Sequence, residues 1–203
     1  AGMSADLFET YVVTCIACMI FAYTLKIPEL VKEKCFIYPI FLNLITTAAT
    51  GLSVVFIKLN NPKKIMETIY KIFYSTLLLS LIFSFFLTKF FFSTHVITVS
   101  FFGENLAVHW SNLFFCYILG LMLTYLFLVT TEYYTSFKYN PVKKLAESSV
   151  TGHATNILQG ISLAFHSTAI PAISVCLVII FSYYLAGIYG LSLTTMGMVS
   201  LSC

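Results

Sequence analysis

The sequence has 203 residues, 59% of them hydrophobic and 9% charged, with mean hydropathy +0.92 and a formal net charge of +3. Soluble domains carry about 25% charged residues, so this chain has too little polar surface to cover itself in water and reads as an integral membrane protein. Its 11 basic residues are all lysines scattered through short connections, which leaves no basic patch for nucleic acid.

The first hydrophobic segment covers residues 7–25, with Asp6 and Glu9 at its head. Residues three apart share a helical face. At ideal pitch Asp6, Glu9, Thr10, Val13, Thr14 and Ala17 fall within an arc of about 140°. Phe8, Val12, Cys15, Ile16 and Met19 lie opposite. A carboxylate stripe on a helix long enough to span a bilayer marks an ion-handling site by default. Two readings of the pair stay open. If the helix begins near Gly2, first-turn acids offset the macrodipole, which is worth about 0.3–1 kcal/mol each. If it continues upstream, both carboxylates lie below the entrance of a span, withdrawn from water, where proton or cation exchange is their chemistry. Cys15 and Cys18 form a CxxC, but in an apolar helix without a second CxxC or a nearby histidine they read as small buried residues. The remaining cysteines, Cys35, Cys116, Cys176 and Cys203, give no disulfide framework.

Pro28 ends the first segment, and a mixed-sign loop leads to Cys35. A second span over residues 36–57 contains Asn43, Thr46, Thr47, Thr50, Gly51 and Ser53. Small and hydroxyl residues of this kind mark a face packed on other helices, with a polar pore lining as the alternative. Asn60-Asn61-Pro62 is a turn, and the third span covers residues 69–87. Residues 90–112 read as an extended or hairpin-like external loop. His95 and His109 there have no metal-ligand partners at useful spacing and read as solvated or interfacial.

The fourth span, residues 113–129, ends at Tyr133 and Tyr134, residues suited to the membrane–water interface. Glu132 beside them reads as a solvated or capping carboxylate. Residues 151–165 predict a short helix of about four turns, with small or short residues at 152, 156, 160 and 164 that permit close packing. It is expected to lie at the interface and to feed, after a bend, into a fifth span at residues 169–185. Gly187 to Gly190 is a tight turn into a sixth, incomplete span. The fold expected is an all-α multi-spanning helical bundle of five full spans plus a truncated sixth. It forms one transmembrane domain, 1–203, with a cytoplasmic loop and short interfacial helix at 130–168. Lys58, Lys63, Lys64, Lys71, Lys138, Lys143 and Lys144 share one side, against Lys26, Lys32, Lys34 and Lys89. The richer side is cytoplasmic by the positive-inside rule, and the Asp6 end of the first helix lies there. Both chain ends fall inside hydrophobic segments, so the chain is expected to be the middle of a longer protein.

No phosphate loop, His-Glu-x-x-His, Gly-x-Ser-x-Gly or dinucleotide fingerprint is present. Three stretches carry a resemblance instead. Gly2-Met3-Ser4-Ala5-Asp6-Leu7-Phe8-Glu9-Thr10-Tyr11 resembles a segment of the membrane-integral inorganic pyrophosphatases, the pyrophosphate-energised proton or sodium pumps. Thr131-Glu132-Tyr133-Tyr134-Thr135-Ser136, with Tyr139 and Pro141, is similar to a second family segment. Thr151-Gly152, Ala154-Thr155-Asn156 and Gly160 match a third, in the same order, and Ile170-Pro171 and Tyr189-Gly190 fit the helix pair that follows.

The resemblance implies a homodimer of many-spanning subunits in lipid, with a cytoplasmic pyrophosphate site that uses Mg2+, an ion gate and an exit channel. Asp6 corresponds to the family's gate aspartate and Glu9 to its semi-conserved gate glutamate. In some subclasses that glutamate sits about a turn further on, at the position of Val13 here. The arrangement resembles the potassium-independent, proton-pumping subclass. The family's acidic pyrophosphate and magnesium motifs are not in this sequence. No catalytic, metal or substrate-binding residue is therefore expected within it, and the chain alone is expected not to hydrolyse pyrophosphate without the remainder of its parent. The setting expected is a bacterial inner membrane. Two other classes remain in play: a non-catalytic multi-pass protein, and a small channel or carrier in which the acidic stripe conducts without hydrolysis.

Overall fold

The computed structural model describes residues 2–25, 29–56, 65–92, 97–101 and 104–200. Along them run helices α1 (Gly2–Thr24), α2 (Glu29–Phe56) and α3 (Ile65–Phe92), strands β1 (Ile97–Phe101) and β2 (Glu104–Val108), then helices α4 (Trp110–Thr135), α5 (Asn140–Ser148) and α6 (His153–Ser200). Among the described residues 5 helices are long and apolar enough to cross a membrane. The chain is an all-α multi-span membrane bundle. The turns expected at 26–28 and 58–64, with His95 and Cys203, lie outside the described residues. Two compact units divide the chain, residues 1–121 with 180–203 and residues 122–179.

In the first unit, α2 and α3 are antiparallel neighbours. The start of α2 meets the end of α3, where the Tyr38 and Thr88 hydroxyls lie 2.7 Å apart and the Tyr38 ring stands 5.1 Å from that of Phe92. The α3 face turned inward is a row of buried hydroxyls four residues apart, Thr76, Ser80, Ser84 and Thr88. Each donates to a carbonyl of the preceding turn, so hydroxyls are satisfied within the helix and can be buried without a polar penalty. On α2, Asn43, Thr46 and Ser53 are buried as a packing face, while Thr47 and Gly51 are exposed.

The link between α3 and α4 is an antiparallel hairpin, with Ile97 opposite Val108 and Phe101 opposite Glu104. It begins later than the extended stretch read from the sequence, because Phe90 to Phe92 still belong to α3.

Helix α6 breaks at Ala186 and Gly187. Gly187 has φ +61 and ψ −150, a backbone state open to glycine and closed to most other residues. The chain reverses there. Before the break, Asn112 donates to the Leu185 carbonyl at 3.4 Å and Cys116 to that of Ser182 at 3.8 Å, so α4 and α6 run antiparallel. After it, Cys116 meets Gly190 and Gly120 meets Gly197, so the two run parallel. Residues 188–200 rise about 20 Å, short of the ~30 Å hydrocarbon core. The core of this unit gathers at the end of the bundle marked by this break. It includes three fully buried tyrosines, Tyr38, Tyr117 and Tyr189, each with a hydrogen-bonded hydroxyl.

In the second unit, α4 continues helical through Thr135, so Thr130 to Thr135 are helix rather than loop. Helix α5 follows, then a 3-10 turn at Ser149–Thr151. The sequence reading of a separate short helix at 151–165 is corrected here: the helix begins at His153 and runs through Pro171 to the break at 186. Proline removes one backbone donor, yet the first non-helical residues along α6 are Ala186 and Gly187, as apolar membrane-length helices tolerate proline. Residues 153–185 rise about 50 Å, well beyond the hydrocarbon thickness.

Candidate functional site

Helix α1 carries Asp6 and Glu9, and its membrane-length part is Ala5–Thr24. Asp6 and Glu9 lie in the N-terminal half of α1 (Gly2–Thr24). Both side chains are exposed, as are Thr10 and Val13 on the same stripe. Below the acids the stripe continues as a ladder of hydroxyls. Thr10 donates to the Asp6 carbonyl at 2.8 Å, and Thr14 to the Thr10 carbonyl at 2.9 Å. These bonds satisfy the hydroxyls along the helix while keeping polar atoms on one face.

The acidic half of α1 is lightly covered. Phe8, on the opposite face, is 70% exposed, and Tyr11 Oη lies 3.4 Å from Thr47 Oγ1 of α2. The other half is anchored. Cys18 and Ala22 are buried, and Ser192 donates to Cys18 Sγ at 3.2 Å. The cysteines of the CxxC are free thiols at this packing contact, as their apolar setting implied. Among the described residues no three of His, Cys, Asp and Glu come together as a metal site. Asp6 and Glu9 lack a third ligand and do not fit a Mg2+ centre, so no chemical step is routed through one here.

The two later motifs lie in the second unit, where they act as joints. In the first, Ser136 N–H donates to the Glu132 carbonyl at 2.9 Å and Tyr139 N–H to that of Ser136 at 3.2 Å, turning the chain from α4 into α5. The Tyr133 ring packs tilted against that of Tyr139 across this turn, with centroids 5.3 Å apart. In the second, Gly152 has φ +132, a conformation that favours glycine. Around it the Thr151 and Thr155 hydroxyls lie 2.7 Å apart, Thr155 also donates to the Ser148 carbonyl at 3.2 Å, and Ser148 donates to Asn156 Oδ1 at 3.3 Å. Those bonds tie the end of α5 to the start of α6. Tyr134 and Thr135 face Gly160 and Ala164 across a cleft of about 280 Å³.

Sequence reasoning picked out Asp6, Glu9 and these motifs but missed three packing devices: the α3 hydroxyl row, the glycine pair Gly120 and Gly197, and the Thr155 tie. The hydroxyl row was legible as a four-residue repeat at 76, 80, 84 and 88. The glycine pair lies in distant segments and had no local signal.

Fold and site together define a multi-pass membrane protein with paired carboxylates at one end of a bilayer-length helix. A family profile described as inorganic H+ pyrophosphatase matches residues 1–203. The chain belongs to that family. It is 35% identical over 208 residues to a protein of Methanosarcina mazei named "K(+)-insensitive pyrophosphate-energized proton pump", a match covering 98% of this chain and 28% of that protein. With one of Moorella thermoacetica, named "K(+)-insensitive pyrophosphate-energized proton pump 2", it shares 30% identity over 209 residues, 98% of this chain and 29% of the relative. With a "Pyrophosphate-energized proton pump 2" of Mycoplana dimorpha it shares 43% over 98 residues, 48% of this chain and 47% of the relative. The chain thus spans less than a third of the length of the first two relatives.

Proposed function

We propose that this chain is the gate-bearing segment of a pyrophosphate-energised proton pump, in which Asp6 and Glu9 hand protons into the membrane. The observation that carries this reading is the exposed stripe of Asp6, Glu9, Thr10 and Val13 at one end of a bilayer-length helix, in a chain of this family. Two carboxylates one turn apart can pass a proton between them, and the hydroxyls of Thr10 and Thr14 extend the polar path down the same face. The names of two relatives as potassium-insensitive proton pumps favour protons over sodium and independence from potassium.

Hydrolysis of pyrophosphate, with Mg2+ as the metal, belongs to the parent protein, through residues not in this sequence. A homodimer in a bacterial inner membrane is the setting proposed for it, with residues 130–168 on the cytoplasmic side. The 203-residue chain alone is proposed to be inactive.

The test is a chimera in which residues 1–203 replace the matching part of the Methanosarcina mazei protein, reconstituted in vesicles. Pyrophosphate-driven acidification is expected from the chimera and absent from its Asp6→Asn and Glu9→Gln variants. Acidification unchanged in both variants, or transport that requires sodium, sinks the reading.

A further inference from the structure

We propose that α5 and the turn before it form a binding surface for anionic phospholipid headgroups. Four observations in the second unit converge on it. The charge is right: Lys138, Lys143 and Lys144 are all exposed, and Glu147 is the single acid among residues 137–150. The facing is right. On α5, Val142 and Leu145 are half-buried, with Leu145 lying 3.8 Å from where a Cβ of Gly160 would stand, and the lysines occupy the exposed side.

The surface is also held in place rather than free to swing, through Tyr139 on Tyr133 at one end and Ser148 on Asn156 at the other. The depth is right as well. A span of about 20 residues counted back from Leu185, the last residue before the α6 break, reaches His166. Gly160, and with it Leu145, then lies about 9 Å beyond the hydrocarbon edge. That is the outer part of the headgroup layer, within reach of lysine side chains that extend along the interface. Phe137 is 79% exposed and Val150 88% exposed. They flank the lysines as apolar wedges, the mixture of aromatic and basic residues that interfacial segments use. By the lysine count this is the cytoplasmic face, where anionic lipid attracts basic segments. The proposal does not depend on the transport reading, and its test needs no pyrophosphate.

The 203-residue chain is reconstituted in vesicles of phosphatidylcholine with a minor share of phosphatidylglycerol, released with its adhering lipid, and the retained lipids are counted by native mass spectrometry. Phosphatidylglycerol is expected to be enriched several-fold over its share in the vesicle. The triple variant Lys138→Gln/Lys143→Gln/Lys144→Gln is expected to lose that enrichment, at about five-fold per lysine in affinity. The matching lysine-to-arginine triple is expected to keep it, as is Lys32→Gln/Lys34→Gln in the first unit. Circular dichroism confirms that each variant is folded. Equal enrichment in the native chain and the glutamine triple overturns the proposal, and so does an equal loss in the Lys32/Lys34 variant.

Discussion

The Tyr189 hydroxyl donates to the Cys35 carbonyl at 3.0 Å, and that carbonyl is the one α2 cannot satisfy by itself. Four residues on stands Pro39, inside the helix, which has no N–H to offer. A tyrosine distant in sequence supplies the missing donor and ties the reversed end of α6 to α2. Tyr189→Phe is expected to destabilise the chain by about 1–3 kcal/mol, the cost of a buried acceptor left alone. In a Pro39→Ala background the helix regains its own donor, and the same substitution is expected to cost less than half as much. Unfolding in mixed detergent micelles measures both. Equal costs in the two backgrounds would show that the tyrosine does not complete the helix.

Gly120 and Gly197 set the closest approach of α4 and α6. A Cβ on Gly120 would collide with the Thr194 carbonyl oxygen, and one on Gly197 would stand 2.6 Å from the Tyr117 carbonyl oxygen. Backbone lies on the other side in each case, so no flexible side chain can yield. Gly120→Ala is expected to cost about 1–3 kcal/mol by overpacking, and Gly51→Ala, with open space around it, to cost nothing measurable in packing. The same micelle unfolding separates them.

Much of this was legible in the sequence for physical reasons. Bilayer-length apolar runs leave few alternatives to helices, so the spans, the hairpin near 97–108 and the break at Gly187 followed from hydropathy and from glycine, proline and turn residues. Asp6 and Glu9 were legible because a carboxylate in such a run is costly and needs a reason. The unbroken helix from His153 through Pro171 was not legible, because a proline in water usually ends a helix while one within a membrane-length apolar segment need not. Nor was the tie from Tyr189 to Pro39's turn, since nothing local to either residue announces a partner so far along the chain.

The joint between α5 and α6 rests on Gly152 and Thr155. Gly152→Ala forces a side chain into a backbone state at φ +132, which costs on the order of 1–3 kcal/mol. Thr155→Val removes the hydroxyl that bonds Ser148 and Thr151 while keeping the shape. Both are expected to loosen α5 and speed protease cutting between residues 137 and 152, with Thr155→Ser close to the native rate. Cutting rates that do not change in either variant would show that these bonds do not hold the joint.

Asn43 is 4% exposed, and among the described residues neither of its amide atoms makes a hydrogen bond of normal length, the Cys15 thiol being the polar group beside it. An unpartnered buried amide costs about 1–3 kcal/mol, more than its packing role on α2 requires. Asn43→Leu, similar in size and apolar, is expected to raise stability in micelles by about 1 kcal/mol or more. A loss of stability instead would mean that the amide holds a water between helices.

The last prediction returns to the acidic stripe. Val13 lies one turn below Glu9, on the same face of α1, and is 57% exposed. A carboxylate moved from 9 to 13 would shift about 6 Å along the axis without leaving the stripe. If the stripe works as a path and not as a fixed pair of atoms, the relocated acid can still take a proton from Asp6 through the Thr10 hydroxyl beside it. In the chimeric pump, Glu9→Ala is expected to lower pyrophosphate-driven acidification by about tenfold or more. Glu9→Ala/Val13→Glu is expected to recover a large part of it, and Glu9→Ala/Phe8→Glu, with the acid on the opposite face, none. Recovery from position 8 as good as from position 13 would mean that charge anywhere near the helix end suffices, and that the stripe has no directional role.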